Sequence, residues 1–142
     1  MSQIHKTHYR VYYEDTDAGG IMYHGNFINF CERARSDMLR DVGYPASEVA
    51  TKLQTGFVVR HLEAEYLAMC RLDDLLIVET TLKQIKNTSF TMRQVVSKSG
   101  DKSQNSVTFF MDVTLVCVDM KGRPTRIPDV LRQPFNKYLK EE

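Results

Sequence analysis

From residue 27 to residue 42 apolar side chains recur at steps of three and four: Phe27, Phe30, Cys31, Ala34, Met38, Leu39 and Val42. Glu32, Arg33, Arg35, Asp37 and Arg40 occupy much of the remaining circumference. That spacing predicts a helix with one apolar face. Asn26 stands where an N-cap belongs. Gly43 ends the helix, and Pro45 lies two residues beyond. A helix so bounded has roughly 17 residues and is roughly 25 Å long at 1.5 Å per residue. Residues 46–52 offer a short second helix.

The rest of the chain alternates with a period of two, the mark of strands. Over 5–13, His5, Thr7, Tyr9, Val11 and Tyr13 share one face, and Lys6, His8, Arg10 and Tyr12 the other. Over 57–68, Val58, Leu62, Ala64 and Tyr66 fall on one face and His61, Glu63 and Glu65 on the opposite one. Leu76, Val78 and Leu82 alternate with Glu79, Thr81 and Lys83 over 75–85. Phe90, Met92 and Val96 mark a strand over 88–98, and Val107, Phe109, Met111, Val113, Leu115 and Cys117 another over 107–117. Asn87-Thr88 and Ser99-Gly100-Asp101 are turn signals. Residues 128–139 allow a short terminal helix.

The order is therefore strand, long helix, then four strands joined by short links. Hairpin links imply an antiparallel sheet. One helix must serve as core partner for a whole sheet, which is an α+β arrangement with the sheet curled around the helix. No repeat or linker divides the chain, so residues 1–142 form a single domain. One helix leaves the sheet edges open, and a homo-oligomer is expected.

Composition narrows the function classes. The chain has 19 Lys+Arg against 18 Asp+Glu, which leaves no basic surplus for a nucleic-acid binder. Cys31, Cys70 and Cys117 are widely spaced and lack a CxxC pattern, so reduced, buried thiols in a cytoplasmic protein are expected rather than structural zinc or disulfides. The first residues lack a signal-peptide pattern, and no run reaches the roughly 18 apolar residues of a membrane span.

The chemistry concentrates between the first strand and the long helix, in Tyr13-Glu-Asp-Thr-Asp-Ala-Gly-Gly-Ile-Met-Tyr-His-Gly-Asn-Phe27. Two aspartates, two adjacent glycines and a histidine lead into a helix start. Unpaired N–H groups at a helix N-terminus favour negative charge. An acyl carbonyl seated there would have its developing oxyanion stabilised. A carboxylate beside it could attack that carbonyl or activate water against it. Asp and Gly also cluster in loops for turn reasons alone.

This segment resembles the signature of the 4-hydroxybenzoyl-CoA thioesterase family, and most of all its bacterial YbgC-type branch, the one associated with the Tol-Pal gene cluster. The resemblance rests on Tyr13-Glu-Asp-Thr-Asp-Ala-Gly-Gly20, Tyr23-His24 and Glu32-Arg-Ala-Arg35. It continues through Phe57-Val-Val-Arg-His61, Arg71-Leu-Asp-Asp-Leu75, Thr88-Ser-Phe90, Thr114-Leu-Val-Cys-Val118 and Gly122-Arg-Pro124 to Pro128. It implies a hot-dog fold, a long central helix wrapped by a five- to six-stranded antiparallel sheet. It also implies hydrolysis of acyl-CoA to CoA and a free acid, without a cofactor, in a homodimer or homotetramer with sites at the dimer interface. An acyl carrier protein is a second possible donor, because its thioester arm is chemically the same.

The resemblance assigns the catalytic carboxylate to Asp17, as nucleophile or general base, and puts near His24 the backbone N–H that polarises the thioester. Tyr23, Gly20 and Asn26 become pocket or backbone elements, and Tyr13 a pocket wall or a core residue. Asp15 is expected to brace the loop through backbone N–H groups. Glu32 is the alternative carboxylate, although Arg33 and Arg35 beside it suggest an ion-paired helix face. Arg60, Lys83, Lys86, Arg93, Arg123 and Arg126 are candidate cations for the CoA phosphates, and Arg60 and His61 are taken as substrate-binding positions. His61, Glu63 and Glu65, with Asp15, Asp17 and His24, raise the question of a metal, but none is expected. The run from Asp15 fails as a calcium loop, with Gly19 at its fifth position and Asn26 where a bidentate Glu belongs.

Three other readings compete: a hydratase or dehydratase of the same fold, an Asp-x-Asp phosphotransferase, and a catalytically silent CoA-ester or carrier-protein binding protein. A phosphotransferase would require alternating strands and helices around a parallel sheet. The acyl group is left open.

Overall fold

The computed structural model describes residues 2–100 and 106–140. Strand β1 (His5–Arg10) leads through a 3₁₀ turn (Tyr13–Asp15) and a loop into helix α1 (Gly25–Asp41), followed by a short helix α2 (Ala46–Thr51). Four strands follow, β2 (Thr55–Tyr66), β3 (Leu75–Ile85), β4 (Ser89–Lys98) and β5 (Val107–Asp119), then helix α3 (Asp129–Asn136). All strands pair antiparallel in one five-stranded sheet of order β1-β3-β4-β5-β2. Asp101 of the expected 99–101 turn lies outside the described residues. Gly100, before it, takes a φ of +83°.

The sheet wraps α1, the arrangement of a hot-dog fold. Phe27, Phe30, Cys31, Ala34 and Met38 line the buried face of the helix. They share one core with Val78 and Leu82 of β3, Met92 and Val96 of β4, and Phe109, Met111 and Val113 of β5. Helix α3 adds Leu131 and Phe135, the latter meeting Phe90 edge-on at 5.3 Å. All three thiols are buried and unbridged, and burial pushes the Cys31 thiol up to about 12.

One polar side chain sits in the middle of this core. Gln94 on β4 is fully buried. Its amide nitrogen donates to the Cys31 carbonyl at 2.8 Å and to the Thr80 hydroxyl at 3.1 Å. Both acceptors hold the amide in one orientation, so its oxygen faces Arg35, whose Nη1 donates at 3.0 Å.

The structure departs from the sequence reading in four places. The first strand stops at Arg10 rather than running to 13, because Asp15 folds back and its Oδ2 accepts the Tyr12 N–H at 2.9 Å, closing the 3₁₀ turn. Helix α1 starts at Gly25, with His24 at the cap position and Asn26 inside the first turn. The Asn26 side chain is already engaged by Asp15 and does not cap. In β2 the register shifts between Val59 and His61. One extra residue reverses the alternation, so Phe57 shares the core side with Leu62 and Ala64 while Val58 is half exposed. Finally, β2 and β3 are not a hairpin. They lie apart in the sheet, and residues 67–74 cross from one side to the other.

On the outer face of the sheet Asp112 accepts two hydrogen bonds from Arg93, at 2.8 and 2.9 Å, and one from Lys83 at 2.9 Å. The Arg93 guanidinium, with Lys83 behind it, holds the Asp112 carboxyl below the usual carboxylate range. A carboxyl with a lower pKa folded than unfolded stabilises the fold above its unfolded pKa and loses that contribution as pH falls. Asp112→Asn is therefore expected to be less stable than the natural protein at pH 7. Urea unfolding at descending pH should show the gap close toward about pH 2.

Candidate active site

The loop after β1 is built around two carboxylates with different surroundings. Asp15 is buried. Besides the Tyr12 N–H, it accepts from the Asn26 side-chain amide at 3.0 Å through Oδ1, and its own carbonyl accepts the Tyr23 N–H at 2.8 Å. It therefore ties the strand end, the loop and the first turn of α1 together. Asp17 is exposed at the tip of a tight turn, where its N–H donates to the Ile21 carbonyl at 2.9 Å and its carbonyl accepts from Gly20 at 3.0 Å. Gly20 has a φ of +75°, which only glycine adopts without strain. The Gly19 N–H donates to Asp17 Oδ1 at 3.0 Å and orients the carboxylate, while Oδ2 has no hydrogen-bond partner among the described residues.

The 67–74 crossover passes directly over this turn. The Met22 N–H donates to the Cys70 carbonyl at 2.7 Å, and Ile21 bridges to Arg71. Tyr66, at the end of β2, donates its hydroxyl to the His24 carbonyl at 3.1 Å. Between crossover and helix start lies an open hollow of about 390 Å³. Asp17 and His24 are its polar members, and Met22, Phe27, Tyr66, Leu67 and Met69 supply most of its wall. The aromatic rings brace one another: Phe27 stacks on Phe109 at 5.0 Å, and Tyr66 stands edge-on to Phe27 at 5.8 Å. The backbone N–H groups of His24 and Gly25 have no protein acceptor among the described residues and belong to the positive end of α1.

Asp17 and His24 thus meet in one hollow, with Gly20 shaping the turn beneath. Asn26 acts through Asp15. Tyr23 lies outside the hollow but packs on the His24 ring at 4.3 Å. Tyr13 is neither core nor a wall of this hollow. It is 80% exposed in the 3₁₀ turn and borders a separate shallow depression with Arg10, Tyr12, Leu72 and Asp73. Arg60 and His61 are exposed on the β2 edge, away from Asp17, and His61 pairs with Glu63 at 3.0 Å. Among the described residues no three His, Cys, Asp or Glu side chains gather as metal ligands.

The ion-paired helix face expected around Glu32 does not form. Among the described residues no cation lies within 4 Å of Glu32. Arg33 sits over the Phe30 ring at 5.3 Å and Arg35 is bound to Gln94. Of the candidate phosphate ligands, Lys83 and Arg93 are committed to Asp112, Arg123 to Asp119, and Arg126 to Asp129 and Asn87. The sequence reading ran the strand over 57–68 and gave Met69 no role, whereas β2 ends at Tyr66 and Leu67, Ala68 and Met69 belong to the crossover; an apolar run that breaks alternation was the readable signal.

The chain itself has known relatives. The sequence model of the thioesterase-like superfamily matches residues 11–135, and the chain belongs to that family. It is 36% identical over 129 residues to the acyl-CoA thioester hydrolase YbgC of Escherichia coli O6:H1, covering 90% of this chain and 92% of the relative. The acyl-CoA thioesterase YbgC of Haemophilus influenzae is 34% identical over 128 residues, covering 89% and 90%. Among solved structures, a probable thioesterase from Bartonella henselae superposes with a TM-score of 0.81 at 30% identity, covering 89% of this chain and all of that one. Among the described residues no helix is long and apolar enough to cross a membrane.

The Asp15 brace makes a stability prediction. Asp15→Ala strands the Asn26 amide and the Tyr12 N–H, and should cost about 1.5–3 kcal/mol in urea unfolding. An unchanged midpoint would mean that the brace contributes nothing.

Proposed function

We propose that this thioesterase hydrolyses acyl-CoA to CoA and a free carboxylic acid, with Asp17 as the reacting carboxylate. One observation carries the reading: an exposed, oriented carboxylate shares an apolar-walled hollow with His24, the residue at the start of α1 whose N–H is unpaired among the described residues. A thioester carbonyl directed at the His24 and Gly25 N–H groups would have its oxygen stabilised as it becomes an oxyanion. Asp17 then either attacks the carbonyl carbon, giving an anhydride that water opens, or takes a proton from the attacking water. In both routes the C–O bond forms, the C–S bond breaks, and the CoA thiolate leaves and takes up a proton. The His24 ring lies near enough to the helix start to serve that thiolate.

The working unit is a homodimer joined through the β2 edge. That edge is unpaired in one protomer; Val59, Tyr66, Leu67 and Met69 are exposed apolar residues along it and around the Asp17 hollow, and Val58 is exposed on the opposite face of the strand. Strand addition would satisfy the backbone and cover the apolar residues along it. Arg60 and Lys86 are the candidate cations without a carboxylate partner among the described residues, and they are the ones left for the CoA phosphates.

Thiol release from a panel of acyl-CoAs tests the assignment. Asp17→Asn keeps the shape of the side chain and should lower kcat roughly 10²–10⁴-fold while the protein stays folded. Undiminished turnover would pass the role to Glu32 or Asp15. Single turnover in oxygen-18 water separates the two routes, because label reaches the Asp17 carboxylate only if Asp17 attacks. For the dimer, Val59→Lys places like charges across the joined edges. Sedimentation should show a shift toward monomer, with activity falling in parallel.

A further inference from the structure

A second cavity, of about 320 Å³, opens beside α1 at the far end of β2 from the Asp17 hollow. Leu39, Val49, Phe57, Phe90 and Leu115 make its walls mainly apolar, and Arg35 and Glu32 also line it. Its volume falls in the range of about 300–1,000 Å³ typical of small-molecule sites. Nothing in the loop chemistry above uses it.

Arg35 is the unusual member. It is partly buried, and desolvation pushes its pKa down. Among the described residues it has no carboxylate within 4 Å, and its one hydrogen bond goes to the neutral amide oxygen of Gln94. Gln94 is itself locked by the Cys31 carbonyl and the Thr80 hydroxyl, so the guanidinium is held in place rather than free to swing out. Glu32 shares the cavity and its charge partly offsets the desolvation, but it is exposed to water and forms no ion pair with Arg35 within 4 Å. A buried cation is costly unless a counter-charge meets it. The fold has kept this one charged, oriented and bordering an apolar space.

The position of the cavity connects it to the chemistry. Gly56, Phe57 and Val59 border it at the start of β2, while Tyr66 borders the Asp17 hollow at the end of the same strand. Within one protomer the two lie far apart. His24 and Arg35 are eleven positions apart on α1, about 16 Å at 1.5 Å per residue. Antiparallel joining of two β2 edges reverses the strand. It sets the start of one β2 beside the end of the other, and so the Arg35 cavity of one protomer beside the Asp17 hollow of its partner.

We propose that this cavity receives the distal end of the acyl group and that Arg35, positioned by Gln94, selects acyl chains ending in a carboxylate. The substrate class is then the mono-CoA thioester of a short dicarboxylic acid. The thioester sits at Asp17 of one protomer and the free carboxylate meets Arg35 of the other. This rests on the dimer and on the thioesterase reading, and it names the substrate class for that site.

Binding of two non-hydrolysable thioethers, S-hexyl-CoA and S-(5-carboxypentyl)-CoA, tests the proposal by calorimetry on the intact protein. Their chains are equal in length and differ only in the terminal carboxylate. The natural protein should bind the carboxylate form at least about 10-fold tighter, the scale of a charge-assisted hydrogen bond in a desolvated site. Arg35→Met should erase that preference and leave S-hexyl-CoA within about threefold. Arg35→Gln removes the charge and keeps a polar head, and should also erase the preference if Arg35→Met does not fold. Equal binding of the two thioethers by the natural protein, failure of both to bind, or a preference that survives Arg35→Gln would overturn the proposal. Hydrolysis is scored separately: a protein that discriminates the thioethers but cleaves no acyl-CoA keeps Arg35 as anchor and sinks the thioesterase reading.

Discussion

A single strip of side chains on α1 holds the molecule together. Phe27, Phe30, Cys31, Ala34 and Met38 form the main apolar face the five-stranded sheet closes on, with shorter contributions from Val49 of α2 and from Leu131 and Phe135 of α3. Each large side chain buried there contributes roughly 1.5–3 kcal/mol. Because one helix serves the whole sheet, its axis sets the curvature of the strands, and its N-terminus has a fixed place relative to every strand end. The same burial that stabilises the fold therefore aims the helix start at the end of β2, where the Asp17 hollow forms.

Asp15 and Asp17 show how one short loop gives two carboxylates opposite surroundings. Asp15 is buried and spends both oxygens on the Tyr12 N–H and the Asn26 amide. Asp17, two residues on, is exposed and holds one oxygen on Gly19. The difference is local geometry. The 3₁₀ turn folds the first carboxylate inward, and the glycine turn at Gly19-Gly20 presents the second to the hollow. The crossover of 67–74 then provides the apolar side of the site.

Much of this was legible in the sequence. The 3.6-residue period of 27–42 and the two-residue period of the later segments gave the helix, the strands and the α+β layout without any partner structure. The loop carrying Asp17 and His24 stood out because aspartates, glycines and a histidine precede a helix start, and because the segment resembles a thioesterase signature; Asp and Gly alone are equally common in plain turns. What was not legible is non-local. The bulge at Val59–His61 is a backbone event that the alternation of Val58 and Leu62 hides. The crossover between β2 and β3 looks like a hairpin link until the sheet order is known. Tyr13 reads as an alternating strand residue because nothing nearby announces that Asp15 will fold back on Tyr12. The Glu32 and Arg35 pair has good helical spacing, yet Gln94, far away in sequence, claims the arginine.

The bulge in β2 has a consequence beyond the inward turn of Phe57. A straight, regular strand edge accepts almost any extended peptide, and this is how sheet proteins come to aggregate. A bulged edge is bent and locally overtwisted, so it accepts only a strand with a matching bend in a matching register. The β2 of a second copy meets that condition by symmetry. In the proposed dimer, one extra backbone residue would act as a key cut into the edge, fitting the protein's own copy and turning away the unrelated strands of a crowded cell.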